Sequence, residues 1–167
     1  MTAALLLRIM LGGLLSGSNP PTAFPEPVDE GLSYDAATNT VTFELIAGPF
    51  TFNGYRDGGA TLLVPSKATI VLNFVNKDGT PHSAIVLSGE GAIPSAPTDP
   101  AIPRAYTNKV LEGLPQEGKD VMRFPVPESG TYRIVCGVPG HGLSGMWIWF
   151  KVDPAAKEPR WETQPKA

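Results

Sequence analysis

Apolar and polar residues alternate along much of the chain, and this alternation predicts strands. In TVTFELIA, Val41, Phe43 and Leu45 fall on one face, as in a strand with one buried side. Further segments rich in β-branched and aromatic residues predict strands too: FTFNGY, ATLLVP, ATIVLNFVN, HSAIVLS, VMRFPVP, GTYRIVC and MWIWFKV. Short strands at this spacing, with turn signals such as Asn53-Gly54 between them, indicate an antiparallel sandwich or barrel.

The pattern changes at both ends of the chain, which divides it into four parts. Residues 1–18 are mostly apolar, but the run is shorter than the roughly 20 residues of a membrane-spanning helix. They predict an export signal, part of a membrane anchor, or a helix packed on the domain. Residues 19–39 predict a linker with turns, residues 40–153 the one folded domain, and residues 154–167 a loose polar tail.

One segment inside the domain shows little periodicity. Residues 89–120 are rich in proline and predict a long insertion loop, with a short helix near Asn108–Leu114. A loop of this length is usually functional or mobile. We expect it either to cover a site or to contribute to docking, and the sequence does not decide between the two.

Composition excludes some classes of function. With 42% hydrophobic and 17% charged residues in 167, the chain is globular and large enough for one core. The net charge of −3 offers no basic patch, so nucleic acid is not an expected partner. The single cysteine excludes an internal disulfide. It is therefore either a buried small hydrophobe or a thiol used in chemistry.

That cysteine belongs to the stretch CGVPGHGLSGM, which combines three metal-binding side chains. Cys136 closes a predicted strand, Met146 opens the next, and His141 lies between them in a loop rich in Gly and Pro. A thiolate, an imidazole and a thioether form a soft ligand set that favours copper. His82, the other histidine, lies at a strand start and can complete a Cys/His/His set with Met146 as weak axial ligand. Otherwise the cysteine and methionine are core residues and the histidines turn residues.

These segments resemble the cupredoxins. The Cys-x4-His-x4-Met spacing matches the subset that contains rusticyanin and sulfocyanin. FTFNGYRDGG is similar to the Phe-Asn-Gly motif of sulfocyanins, and ATIVLNFVNKDGTPHSAIVL to the strand–turn–strand that bears their first histidine ligand. The resemblance covers roughly residues 40–152. It implies an all-β, cupredoxin-like Greek-key sandwich or barrel with a long Pro-rich insertion loop.

The resemblance also implies roles for individual residues. His82, Cys136 and His141 would be the equatorial ligands of one copper ion, and Met146 the axial ligand. Ser83 would hydrogen-bond near the cysteine loop, unless it is an ordinary strand serine. Phe52 and Asn53 would brace the site from below, unless they only form a turn.

The expected function is electron transfer by a mononuclear type 1 copper centre that cycles between Cu(I) and Cu(II) in a respiratory or redox chain. No nucleophile–base pair is recognisable, and four protein ligands leave copper no good open position, so an enzyme is not expected. His141 would be the electron port, and four neighbouring residues would exclude water: Val138, Pro139, Leu143 and Trp147. The alternatives are a copper-storage or copper-delivery protein and a metal-free binding sandwich.

The family implies a cytochrome or a terminal oxidase as redox partner. We expect a monomer in a periplasmic or other extracytoplasmic compartment, with residues 1–18 as its membrane tether if they are an anchor.

Overall fold

The computed structural model describes residues 31–163 and builds them from ten strands. Their bounds are β1 Ser33–Asp35, β2 Thr40–Gly48, β3 Thr51–Phe52, β4 Ala60–Pro65, β5 Thr69–Asn76, β6 Ile85–Ser88, β7 Lys119–Pro125, β8 Gly130–Val135, β9 Trp147–Asp153 and β10 Arg160–Thr163. Within these residues there is no helix, so the all-β prediction is confirmed. The expectations for residues 1–18 lie outside the described part of the chain.

The strands form two five-stranded sheets. One has the order β1-β2-β5-β7, with β3 paired to β2, and the other has the order β10-β4-β9-β8-β6. Most neighbours are antiparallel, as the sequence predicts, but β2–β5 and β4–β9 are parallel. A parallel pair needs a long crossover, and each time the chain places at least one strand in the opposite sheet before it returns.

The core lies between the inner faces of the two sheets. In β2, Val41, Phe43, Leu45 and Ala47 are all buried while the intervening residues are not, which confirms the predicted alternation. Their partners in one continuous cluster include aromatic side chains from both sheets, namely Phe74, Phe124 and Phe150. Cys136 and Met146 belong to the same cluster. The two sulfur side chains are therefore anchored in the packed core of the sandwich.

The ordered structure differs from the sequence prediction in the segments that flank the main strands. β1 forms within the expected linker, and β10 forms within the expected loose tail by pairing with β4. Both are edge strands made of exposed or half-buried residues, so the hydrophobic pattern gives little sign of them. The short helix expected near Asn108–Leu114 is absent. A turn takes its place, in which the Gly113 N–H donates to the Lys109 carbonyl at 2.7 Å.

Strand register brings three distant parts of the chain to one end of a sheet. Ile85, at the start of β6, pairs with Val135, at the end of β8, and Val135 pairs with Trp147, at the start of β9. The residues just outside these ends are therefore neighbours. Cys136 follows β8 directly and Met146 directly precedes β9.

Asn53 fixes the turn after β3 by bonding back to β2. Its side-chain oxygen accepts from the Ile46 N–H at 2.7 Å, and its amide donates to the Glu44 carbonyl at 3.0 Å. The residue is buried and has a φ of 50°. Asparagine tolerates this left-handed conformation better than most residues.

Replacing Asn53 by Ala should lower the free energy of unfolding by about 2–4 kcal/mol. The change leaves a strand N–H and a carbonyl without partners and puts a less suited residue at positive φ. Urea unfolding of the purified protein measures the difference. The matched control is Asn108→Ala at an exposed position, which should stay within about 0.5 kcal/mol of the wild type. Equal losses in both variants would contradict this role for Asn53.

Candidate metal centre

His82 lies three residues before β6, and its backbone pairs with that of Leu114. Its N–H donates to the Leu114 carbonyl at 3.2 Å, and its own carbonyl accepts from the Leu114 N–H at 2.7 Å. The side chain is fully buried. The predicted strand start at His82 is therefore an isolated bridge, and regular pairing begins only at Ile85.

The loop from Cys136 to Met146 closes on itself at its base. The Cys136 N–H donates to the Met146 carbonyl at 3.0 Å, and the Met146 N–H donates to the His141 carbonyl at 3.1 Å. A further turn bond runs from the His141 N–H to the Val138 carbonyl at 3.0 Å. These bonds turn the loop back over the sheet end, so His141 reaches the side chain of Cys136.

Three donor atoms converge at this point. The Nδ1 atoms of His82 and His141 are 3.2 Å apart. The Cys136 Sγ lies 3.7 Å from the first and 3.5 Å from the second. Within residues 31–163 these three residues form the one cluster of His, Cys, Asp or Glu donors found close enough to share a metal ion.

The size and chemistry of this triangle fit a soft transition metal. A triangle with edges of about 3.5 Å has its centre about 2.0 Å from each corner, which is close to metal–nitrogen and metal–sulfur bond lengths in proteins. One thiolate with two imidazoles matches the trigonal set of type 1 copper. Met146 is fully buried in the same core cluster as Cys136, and its carbonyl accepts from the Cys136 N–H, so its thioether is the fourth donor that the resemblance implies.

Burial shifts the pKa of two of these donors, Cys136 and His141. It raises the pKa of the Cys136 thiol, although backbone hydrogen bonds from Ser83 and Val138 act in the opposite direction. Burial also lowers the pKa of His141, and the neighbouring His82 adds to that shift, while Asp78 opposes it. His141 is therefore a neutral donor near pH 7. A metal must displace the thiol proton, and the bound thiolate then neutralises part of the metal charge.

Ser83 connects the two halves of the site. Its hydroxyl accepts from the Gly137 N–H at 3.0 Å and donates to the Val110 carbonyl at 2.6 Å. A Cβ at Gly137 would come within 2.4 Å of Val110, so only glycine allows this approach. Ser83 thus contacts the cysteine loop as the resemblance implies, and the close approach to Val110 explains why a glycine follows Cys136.

Residues 89–118, between β6 and β7, pack against the site. The Ser95 carbonyl accepts from the Gly140 N–H at 2.8 Å, and Ile93 would contact any Cβ at Gly142. Leu114 pairs with His82, as described above. This segment therefore supports both the ligand loop and the buried histidine, and its interpretation as an insertion remains a prediction.

The expected water-excluding residues do not all face the donors. Val138 packs against the core cluster that contains Cys136 and Met146. Pro139 and Leu143 are exposed. Trp147 packs with Val135 on the outer face of its sheet, because adjacent residues of a strand point to opposite faces. Phe52 is buried in the core cluster, while the Asn53 side chain bonds to β2, so bracing of the site by this pair remains a prediction.

Two contributors were missed from the sequence. The ring of Phe50 lies 4.9 Å from the ring of His141 and is partly exposed. Asp78 lies four residues before His82, and its Oδ2 is 2.9 Å from the His82 Nε2. Hydrogen bonds from Thr80, His82 and Gly79 outweigh the effect of burial and lower the pKa of Asp78. The Asp-x3-His spacing was the one available sign of this pair, and it is common in turns.

Known proteins resemble this chain along most of its length. The Sulfocyanin (SoxE) domain family matches residues 27–159. Sulfocyanin from Sulfolobus acidocaldarius is 28% identical over 131 residues, which cover 68% of this chain and 64% of that protein. The chain thus spans less than two thirds of the length of this relative.

The solved structure of an auracyanin shows the same fold, and a rusticyanin structure is similar in sequence. Auracyanin from Roseiflexus castenholzii, reduced with dithionite, has a TM-score of 0.53 and 24% identity, over 68% of this chain and 97% of that chain. Rusticyanin from Thiobacillus ferrooxidans has a TM-score of 0.48 and 28% identity, over 69% of this chain and 82% of that chain.

The family match covers most of the chain, and the donor set fits the metal that the resemblance implies. The chain belongs to the Sulfocyanin (SoxE) domain family, within the cupredoxins, and its cofactor is one copper ion.

Proposed function

We propose that this protein is a mononuclear type 1 copper electron carrier, in which His82, Cys136, His141 and Met146 would hold the copper ion. The observation that supports it best is the convergence of two imidazole nitrogens and one thiol sulfur within 3.7 Å of one another. When bound, copper supplies a one-electron Cu(I)/Cu(II) couple.

The protein's part is to hold the donors in place. Cys136 and Met146 are anchored in the core cluster, and His82 is held by two backbone hydrogen bonds. Donors fixed in this way need little rearrangement when the charge of the metal changes. The buried surroundings also favour the less charged Cu(I) form, which raises the reduction potential.

Electron transfer is favoured over other copper roles. The chain has two histidines, and both are used in the proposed site, so none remain for a second histidine-rich copper centre. Four protein ligands would leave no good position for a substrate. Storage or delivery would call for exposed sulfur donors, whereas Cys136 and Met146 are fully buried.

His141 is the proposed electron port. It is the one partly exposed residue among the four proposed ligands. The Phe50 ring lies 4.9 Å from its ring, and the exposed Leu143 follows two residues later in the same loop. We call Phe50, His141 and Leu143 the His141 patch. A small apolar patch around a ligand suits brief docking to a redox protein.

The partner and the compartment extend the same proposal. We propose a cytochrome or a terminal oxidase as partner of a monomeric carrier in an extracytoplasmic compartment. Residues 1–18 would serve there as export signal or tether. Within residues 31–163, no helix is both long enough and apolar enough to cross a membrane.

Adding one equivalent of Cu(II) to the purified protein should produce an intense visible band from thiolate-to-copper charge transfer. A mild reductant should bleach it reversibly, because the site holds both oxidation states. Cys136→Ser should abolish the band while the far-ultraviolet circular dichroism stays unchanged. The matched control is Ser144→Ala on the same loop, which should keep the band. A colourless wild type would favour the alternative hypothesis, a β-sandwich binding protein without a metal.

Replacing Leu143 by Glu should slow electron self-exchange between copies by at least about tenfold. The reason is that two copies docking through the His141 patch would bring like charges together. NMR line broadening in mixtures of the Cu(I) and Cu(II) forms measures this rate. Val121→Glu is the control, because Val121 and Leu143 are about equally exposed, at 61% and 62%. Val121 lies on β7, in the sheet that does not carry the ligand loop. Equal slowing by both variants would count against the His141 patch as the port.

A further inference from the structure

The ring of His82 is held at both of its nitrogens. Nδ1 faces Cys136 and His141, as described above, while Nε2 lies 2.9 Å from Asp78 Oδ2 and 3.1 Å from the Thr80 hydroxyl. An ionised carboxylate has no hydrogen to donate, and the Thr80 hydroxyl donates its own to Asp78 Oδ2. Nε2 must therefore carry the hydrogen, which leaves the Nδ1 lone pair free for a metal.

Asp78 is itself held by the surrounding turn. Its Oδ1 accepts from the Gly79 N–H at 2.8 Å, and its own N–H donates to the side-chain oxygen of Asn76 at 2.9 Å. Asn76 is fully buried, and its amide donates to the carbonyls of Thr80 and Leu114 at 2.8 and 2.9 Å. The Asp78 carboxylate is thus fixed on the Nε2 side of the His82 ring, and the Asp78 side chain is only 19% exposed.

We infer that Asp78 is a positioning residue of the copper site, which locks His82 with its Nδ1 toward the metal and biases the site toward Cu(II). The inference rests on the proposed ligand set. When the ring nitrogen that does not face the metal donates a hydrogen bond to a carboxylate, the other nitrogen becomes a stronger metal ligand. A fixed negative charge near the metal also stabilises the more highly charged oxidation state. Asp78 therefore opposes the effect of burial and lowers the reduction potential.

The central test is Asp78→Asn, which keeps a hydrogen-bond acceptor of the same shape and removes the charge. Affinity for Cu(II) should fall about ten- to a hundredfold, while affinity for Cu(I) should change less. For a one-electron couple, each tenfold loss confined to Cu(II) raises the potential by about 59 mV. Competitive titration of each ion and voltammetry of the copper protein measure these quantities separately.

Glu117→Gln is the matched control for a general charge effect. Glu117 pairs with Lys77, next to Asp78 in the chain, but its side chain is 60% exposed and it does not bond to His82. Solvent screening should leave the potential of this variant close to that of the wild type. If Asp78→Asn and Glu117→Gln shift the potential equally, the role assigned to Asp78 is wrong.

A second readout does not depend on copper. In the metal-free protein, nitrogen NMR of the imidazole should show His82 with its hydrogen on Nε2, and Asp78→Ala should mix the two tautomers. If Asp78→Asn does not fold, Thr80→Val provides the same test, because it removes one hydrogen bond that orients the carboxylate. It should raise the potential by a smaller amount. An unchanged potential and tautomer would refute the inference.

The outcomes separate this inference from the proposed function. A wild type without the charge-transfer band would remove the ligand set on which both depend. A wild type with the band, together with an Asp78→Asn variant of unchanged potential, would leave the electron carrier in place and reject only Asp78.

Discussion

The site depends on one constraint: two imidazole nitrogens and a thiol sulfur are held against one another in a largely buried position. Bringing these polar groups together away from water costs free energy, because each is more stable when it is hydrated or hydrogen-bonded. The β6–β8–β9 register and the closed Cys136–Met146 loop hold them together. The cost of gathering them is met by the packing of the sandwich, which makes a rigid receptor for a metal ion.

Two features of the site act on the reduction potential in opposite directions. The core side of the site is apolar, with Cys136 and Met146 among hydrophobic residues, and this favours the reduced ion. The opposite side carries a charged residue, Asp78, behind His82. A reduction potential set by two opposing terms can be adjusted by small changes in either one, without moving a ligand.

The strands and the main site residues followed from local patterns. The alternation in β2 predicted its buried face, and the Cys-x4-His-x4-Met spacing singled out the loop that closes over the sheet end. The edge strands β1 and β10 escaped prediction because their residues are mostly exposed, so pairing alone holds them in place. The parallel pairs escaped because strand order depends on contacts between the two sheets.

The sequence by itself determined the donor types, the all-β class and the spacing of the ligand loop, since these depend on side-chain chemistry and local periodicity. Only the tertiary structure decided that the Nδ1 atoms of His82 and His141 lie 3.2 Å apart, that Trp147 faces away from the donors, and that the Phe50 ring lies 4.9 Å from the His141 ring. It also decided which turn residue supports His82. The contacts between distant residues are set by register and sheet packing, which residue spacing does not encode, whereas the Asp78–His82 contact is local but its spacing is too common to identify it.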